Sequence, residues 1–67
     1  MYQAIYKCRL CSEEIKGNSG IYPSYHGSVP QMNVNNNMEY FPKTGVHDCK
    51  DGSMGVMDFQ GFKKVGD

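Results

Sequence analysis

The sequence predicts a small β-rich domain stabilised by bound metal, with ribbon-like hairpins on either side of a long irregular insertion. Three observations carry that expectation. The chain has only 67 residues. Two close pairs of soft ligands, Cys8 with Cys11 and His47 with Cys49, lie far apart along it. Short segments of strand-like alternation adjoin both pairs, at residues 2–7 and 54–59. One domain spanning residues 1–67 is expected, with 17–45 as the insertion.

A chain of this length buries only about 60% of its unfolded surface, so its core needs a staple. Apolar residues make up 39% of the composition, and five Tyr and three Phe supply much of the buriable area. Beyond Ile5, the first twenty residues hold only Leu10 and Ile15 as large aliphatics. Three cysteines cannot all pair within one chain, and the odd number favours a metal site completed by another residue type. No apolar leader or membrane-length run is visible, so a cytoplasmic setting with reduced thiols is expected.

The elements follow in order. In residues 2–7, Tyr2, Ala4 and Tyr6 share one face of a strand. The turn Cys8-Arg9-Leu10-Cys11 comes next, and residues 13–16 read as a returning strand closed by Gly17-Asn18. Residues 17–45 are rich in Gly, Pro, Ser and Asn, with Pro23, Pro30 and Pro42 breaking any long helix. Asn37 is placed to cap a single helical turn over residues 38–41, stopped by Pro42. Tyr22, Tyr25, Tyr40 and Phe41 argue for an ordered segment, and ordered long loops commonly carry function. After His47 and Cys49, a turn at residues 50–53 leads into the second strand. Gln60-Gly61 then reads as a turn or bulge, with pairing resumed at 62–65.

Structural zinc takes four tetrahedral thiolate or imidazole ligands, usually delivered as two close pairs. A Cys-x-x-Cys turn lets both sulfurs reach one ion, and Cys8 and Cys11 have that spacing. His47 and Cys49 are separated by one residue, and alternation along an extended segment puts them on one face. Together the four account for every cysteine and one of two histidines. His26 stands as the other imidazole that could join the site. The competing reading treats the cysteines as small buried hydrophobes, which leaves the thin core unstapled.

Other chemistries fit less well. Iron sites of the rubredoxin or cluster type want four thiolates. A thioredoxin-like role for Cys8 and Cys11 needs a βαβ context that the chain lacks. His47 and Cys49 point the same way rather than at each other, so a nucleophile–base pair is not expected and the chain reads as a non-enzyme. Asp48, Asp51 and Ser53 do not have the spacing of a calcium loop.

The stretch at residues 6–11, His47-x-Cys49, and the run Asp51-Gly52-Ser53-Met54-Gly55-Val56-Met57-Asp58-Phe59-Gln60-Gly61-Phe62 resemble small zinc-ribbon-like proteins of phages and prophages. The resemblance covers about half of the chain. It implies Cys8, Cys11, His47 and Cys49 as the ligands of one structural Zn2+. It also implies a phage-associated accessory role in the host cytoplasm, without a characterised activity.

Formal net charge is zero, which argues against a strongly basic nucleic-acid binder. Three thiolates and a divalent ion would change this by only about −1. The first expectation is therefore an interaction module that binds, modulates or inhibits a host protein, with Tyr22, Tyr25, Tyr40 and Phe41 as partner-binding residues. The alternative is a nucleic-acid-binding ribbon using Lys7, Arg9, Lys16 and Tyr6. Lys63 and Lys64 form a small cluster near the end of the sequence, read as solvated lysines. A homodimer would be a further way to complete so small a core.

Overall fold

The computed structural model describes residues 1–66, and Asp67 lies outside the described residues. It is all-β: β1 (Tyr2–Cys8), β2 (Glu14–His26), β3 (Val29–Val34), β4 (Asn37–Tyr40), β5 (Thr44–Asp48) and β6 (Met54–Lys64). The strands form one sheet in the order β4-β3-β2-β1-β6-β5, and every neighbouring pair is antiparallel.

That order forces the sheet to curl. β4 and β5 are consecutive in the chain yet lie at opposite edges. In a flat sheet of six strands the edges stand about 24 Å apart, at about 4.8 Å per strand spacing. The link from Tyr40 to Thr44 can span at most about 14 Å. The edges must therefore approach each other, and the link itself stitches them. Phe41 donates its N–H to Pro30 O of β3 at 2.9 Å, and Phe59 of β6 donates to Lys43 O at 2.8 Å.

Strand β2 makes the bend. Its first half registers with β1, from Lys7↔Glu14 to Tyr2↔Gly20, and its second half with β3, from Ile21↔Asn33 to His26↔Val29. The register shifts between Ile21 and Ser24, where Tyr22 has a φ of 55°. Pro23 sits in this irregularity, where its missing N–H leaves no ladder bond unmade. The curl brings Tyr25 over β6, edge-on to Phe59 and Phe62 at centroid distances of 6.3 and 5.8 Å.

The core lies inside the curl. Ala4, Tyr6, Met32 and Phe41 form it, with Tyr2, Ile15, Val34, Met57, Phe59 and Phe62 packed around them. Met32 and Ala4 are completely buried. Burying one such Met contributes roughly 1.5–3 kcal/mol, so the whole cluster is a modest source of stability. The Tyr6 hydroxyl reaches this interior and donates to Pro42 O at 2.7 Å, which satisfies it.

Residues 17–45 are not the irregular insertion expected from composition. They complete β2, form β3 and β4 and begin β5. Two tight turns make this possible. Gly27-Ser28 joins β2 to β3, and the φ of +65° at Gly27 suits the first position of a type II′ hairpin turn. Asn35-Asn36 joins β3 to β4 with φ values of 52° and 67°, as a type I′ turn requires. The helical turn expected at residues 38–41 is replaced by β4, because Met38 and Glu39 pair with Asn33 and Met32. The ladder supplies hydrogen bonds that an isolated turn cannot. Gln60 is the extra residue of a bulge inside a continuous β6, between the pairs Tyr6↔Phe59 and Ile5↔Gly61. No helix among the described residues is long and apolar enough to cross a membrane.

Candidate metal centre

The sheet brings both ligand pairs to one end. Cys8 is the last residue of β1, Cys11 lies in the turn after it, His47 is in β5, and Cys49 follows that strand. β1 and β5 flank β6 on opposite sides, so ligands separated by thirty-six residues or more meet over it.

The geometry is that of a compact four-ligand group. Cys8 Sγ and Cys49 Sγ are 3.8 Å apart. His47 Nδ1 lies 3.7 Å from Cys11 Sγ and 3.8 Å from Cys49 Sγ. All four ligand atoms fall within 4.8 Å of one another. A tetrahedral ion with sulfur at about 2.3 Å and nitrogen at about 2.0–2.1 Å sets S···S near ~3.8 Å and S···N near ~3.6 Å. The group therefore could hold a single metal ion. His26, at the far end of β2, is not a member.

Backbone hydrogen bonds shape both turns. Cys8 N–H donates to Glu13 O at 2.9 Å, and Ser12 N–H donates to Cys8 O at 3.0 Å. In the second turn Cys49 N–H donates to Ser53 O at 2.8 Å, and Gly52 N–H donates to Cys49 O at 3.1 Å. Ser12 and Gly52, with φ of 63° and 92°, play the same closing role. The second turn is one residue shorter, and nothing in it takes the place that Cys11 has in the first. The fourth ligand comes instead from the strand, where His47 and Cys49 alternate onto the inner face and Asp48 is exposed. Asp51 fixes this turn by accepting from Ser53 N–H at 2.9 Å, and that bond first of all lowers its pKa.

The thiols differ in character. Cys8 is pulled down to about 6, first by the backbone N–H of Cys11 directed at its sulfur. Cys49 is pushed up to about 12, first by burial and then by the adjoining Cys11 and Cys8 sulfurs. Three thiolates this close repel one another, and only a cation between them lets all ionise. The donor set thus fits a divalent metal on its own chemistry.

Neighbouring residues hold the frame. Arg9 N–H donates to Val56 O at 2.8 Å. The Arg9 guanidinium grips Asp58 through Nε to Oδ2 at 2.6 Å and Nη2 to Oδ1 at 2.7 Å. This fork first of all lowers the Asp58 pKa, and it ties the first turn to β6. Opposite His47 in the β5–β6 ladder lies Gly55. A Cβ there would stand 2.7 Å from Cys8 Sγ and 3.0 Å from Leu10 Cβ. Glycine at this position leaves the space the sulfurs occupy, a feature that spacing between ligands alone did not reveal.

The expected partner-binding residues divide. Tyr22 and Tyr40 are exposed, at 76% and 64%. Tyr25 is 55% exposed, although one side of its ring rests on Phe59 and Phe62. Phe41 is buried at 7% exposure, against Phe59 and Phe62, so it belongs to the core and offers no free surface. Tyr6, expected in a basic surface, is likewise interior. Compared with the models of known protein families, with curated proteins and with solved structures, the chain matches none.

Proposed function

We propose that the chain is a zinc-stabilised, non-enzymatic interaction module that binds a protein partner through the outer face of β2, β3 and β4. Zinc is favoured among metals because three thiolates and one imidazole in a tetrahedron are a soft, closed donor set. Four protein ligands leave no position for water or substrate, which supports a structural ion. A phage-associated setting, with a host protein as partner, rests on the resemblance noted above.

The observation that carries the reading is the composition of that outer face. Cross-strand rows place Ile21, Asn33 and Met38 side by side, then Ser24, Gln31 and Tyr40, then His26 and Val29. Ile21, Val29, Met38 and Tyr40 are all exposed, and none of these rows contains Asp, Glu, Lys or Arg. Apolar and aromatic side chains among uncharged amides, without fixed charge, characterise the centres of protein interfaces. Tyr22 stands at the bend beside Ile21 and would add an aromatic anchor.

Affinity capture from a lysate with the metal-loaded chain tests this. Substituting Tyr22 and Tyr40 together by Ala is expected to weaken capture by about tenfold or more, the scale of losing an aromatic anchor. Metal content should stay unchanged. Undiminished capture by this variant would remove the face from the interface.

A further inference from the structure

We infer that the end of the sheet remote from the metal binds single-stranded nucleic acid, on a surface that meets the β2–β4 face at Ile21 and Asn33. Zero net charge conceals a separation of charge along the molecule. Near the metal the turns and adjoining strand ends carry Glu13, Glu14, Asp48, Asp51 and Asp58, against Lys7, Arg9 and Lys50. At the other end lie Lys63 and Lys64 of β6, while Lys16 of β2 stands midway along β1, two residues from Glu14. Lys16 of β2 is opposite Ile5, and Lys63 of β6 is opposite Gln3, so both share the outer face across β1. Lys64 follows at the rim, opposite Tyr2. All three are exposed, and among the described residues none makes a salt bridge. No carboxylate occupies the cross-strand positions beside them.

A cleft of mixed polarity lies on the far side of β1 from Lys63 and contains none of the lysines. It has a volume of about 360 Å³, and its walls include Ser19, Ile21, Asn33, Asn35 and Asn36. Ser19 belongs to the same outer row as Lys63, with Gln3 between them. Asn36 sits at the tip of the β3–β4 turn, whose left-handed backbone presents its exposed amide at the cleft. Amides donate and accept together, as the edge of an unpaired base requires, while the lysines suit the phosphates that flank it. An apolar depression floored by Ile5 and bordered by Phe62 and Lys63 continues the track on the outer face. A duplex buries the Watson–Crick edges of its bases, the edges that an unpaired strand would bring to the cleft amides. An acidic peptide would satisfy the lysines but not the cleft.

Fluorescence anisotropy with the metal-loaded chain and a labelled short oligothymidylate tests the assignment. Binding at low salt is expected, with log affinity falling against log salt at a slope of about −2, for three phosphates at about 0.7 each. Lys63→Gln should flatten the slope by about 0.7. Asn36→Ala should weaken binding with the slope unchanged. Lys50→Gln, beside the metal, should alter neither. Metal content and thermal melting of each variant establish that it is folded. No binding at low salt would overturn the proposal, as would an equal effect of Lys50→Gln. Stronger binding to a duplex of the same length, to poly-glutamate or to anionic vesicles would reassign the surface and likewise overturn it.

Discussion

Excess EDTA is expected to unfold the metal-loaded chain: the near-ultraviolet signal of its tyrosines should collapse and cooperative melting should disappear. The reason lies in where the ligands sit. Cys8 and Cys49 close the ends of β1 and β5, on both sides of β6, so an ion held there would tie β1 to β5 across β6. The hydrophobic cluster of Ala4, Tyr6, Met32 and Phe41 is small, and Met32 is its largest fully buried side chain. Structural zinc contributes apparent binding free energies on the order of 10–16 kcal/mol in small zinc modules, which exceeds the whole stability of most domains this size. The loss is also expected on acidification, because each bound thiolate must give up its place to a proton as pH falls. Readdition of Zn2+ at neutral pH under reducing conditions should restore the spectrum. An EDTA-treated chain that melts cooperatively at the same temperature would show that the sheet stands without the ion.

Gly55→Ala is expected to weaken metal binding by about fivefold to a hundredfold, although it changes none of the four Cys and His side chains. A methyl group at this position would stand 2.7 Å from Cys8 Sγ, 3.0 Å from Leu10 Cβ and 3.7 Å from Cys49 Sγ. Neither sulfur can retreat freely, since Cys8 is fixed by β1 and by the N–H···O bond to Glu13 O, and Cys49 by Ser53 O. Overpacking of this kind costs typically 1–3 kcal/mol, and here the displaced atoms are two of the four that could hold the ion. Competition against a chromophoric zinc chelator reads the change directly. Gly52→Ala is a useful contrast: its added Cβ would meet nothing within 4 Å, while its φ of +92° strains the turn. Equal metal affinity of Gly55→Ala and the parent chain would mean that the sulfurs have room the structure does not show.

The grouping of Cys8, Cys11, His47 and Cys49 was legible because its chemistry is concentrated. Cys8 and Cys11 declare a turn by spacing alone, and the alternation of His47 and Cys49 puts them on one face of a strand. Tyr2, Ala4 and Tyr6 likewise showed the inner face of β1 by period-two alternation. The middle of the chain was less readable, and the physical cause is specific. Gly27-Ser28 and Asn35-Asn36 are hairpin turns, but amid Pro, Ser and Asn they resemble loop composition. Pro23 and Pro30 excluded a long helix without pointing to strands, whereas β2 accommodates Pro23 at its bend and β3 presents Pro30 O to the Phe41 N–H. Phe41 looked like a surface anchor because nothing local distinguishes it from Tyr40. Its burial follows from the curl, which turns the β4–β5 link inward over Phe59 and Phe62. The face of β2, β3 and β4 could be read only after the register was known, since it joins residues from three separate segments.

The metal itself decides the central claim. Zinc K-edge X-ray absorption on the chain purified from zinc-supplemented cells reports the number and type of atoms around the ion. Three sulfurs at about 2.3 Å and one nitrogen at about 2.0–2.1 Å are expected, with one zinc per chain. A shell made of oxygen and nitrogen, or a folded chain that carries no metal, would contradict it.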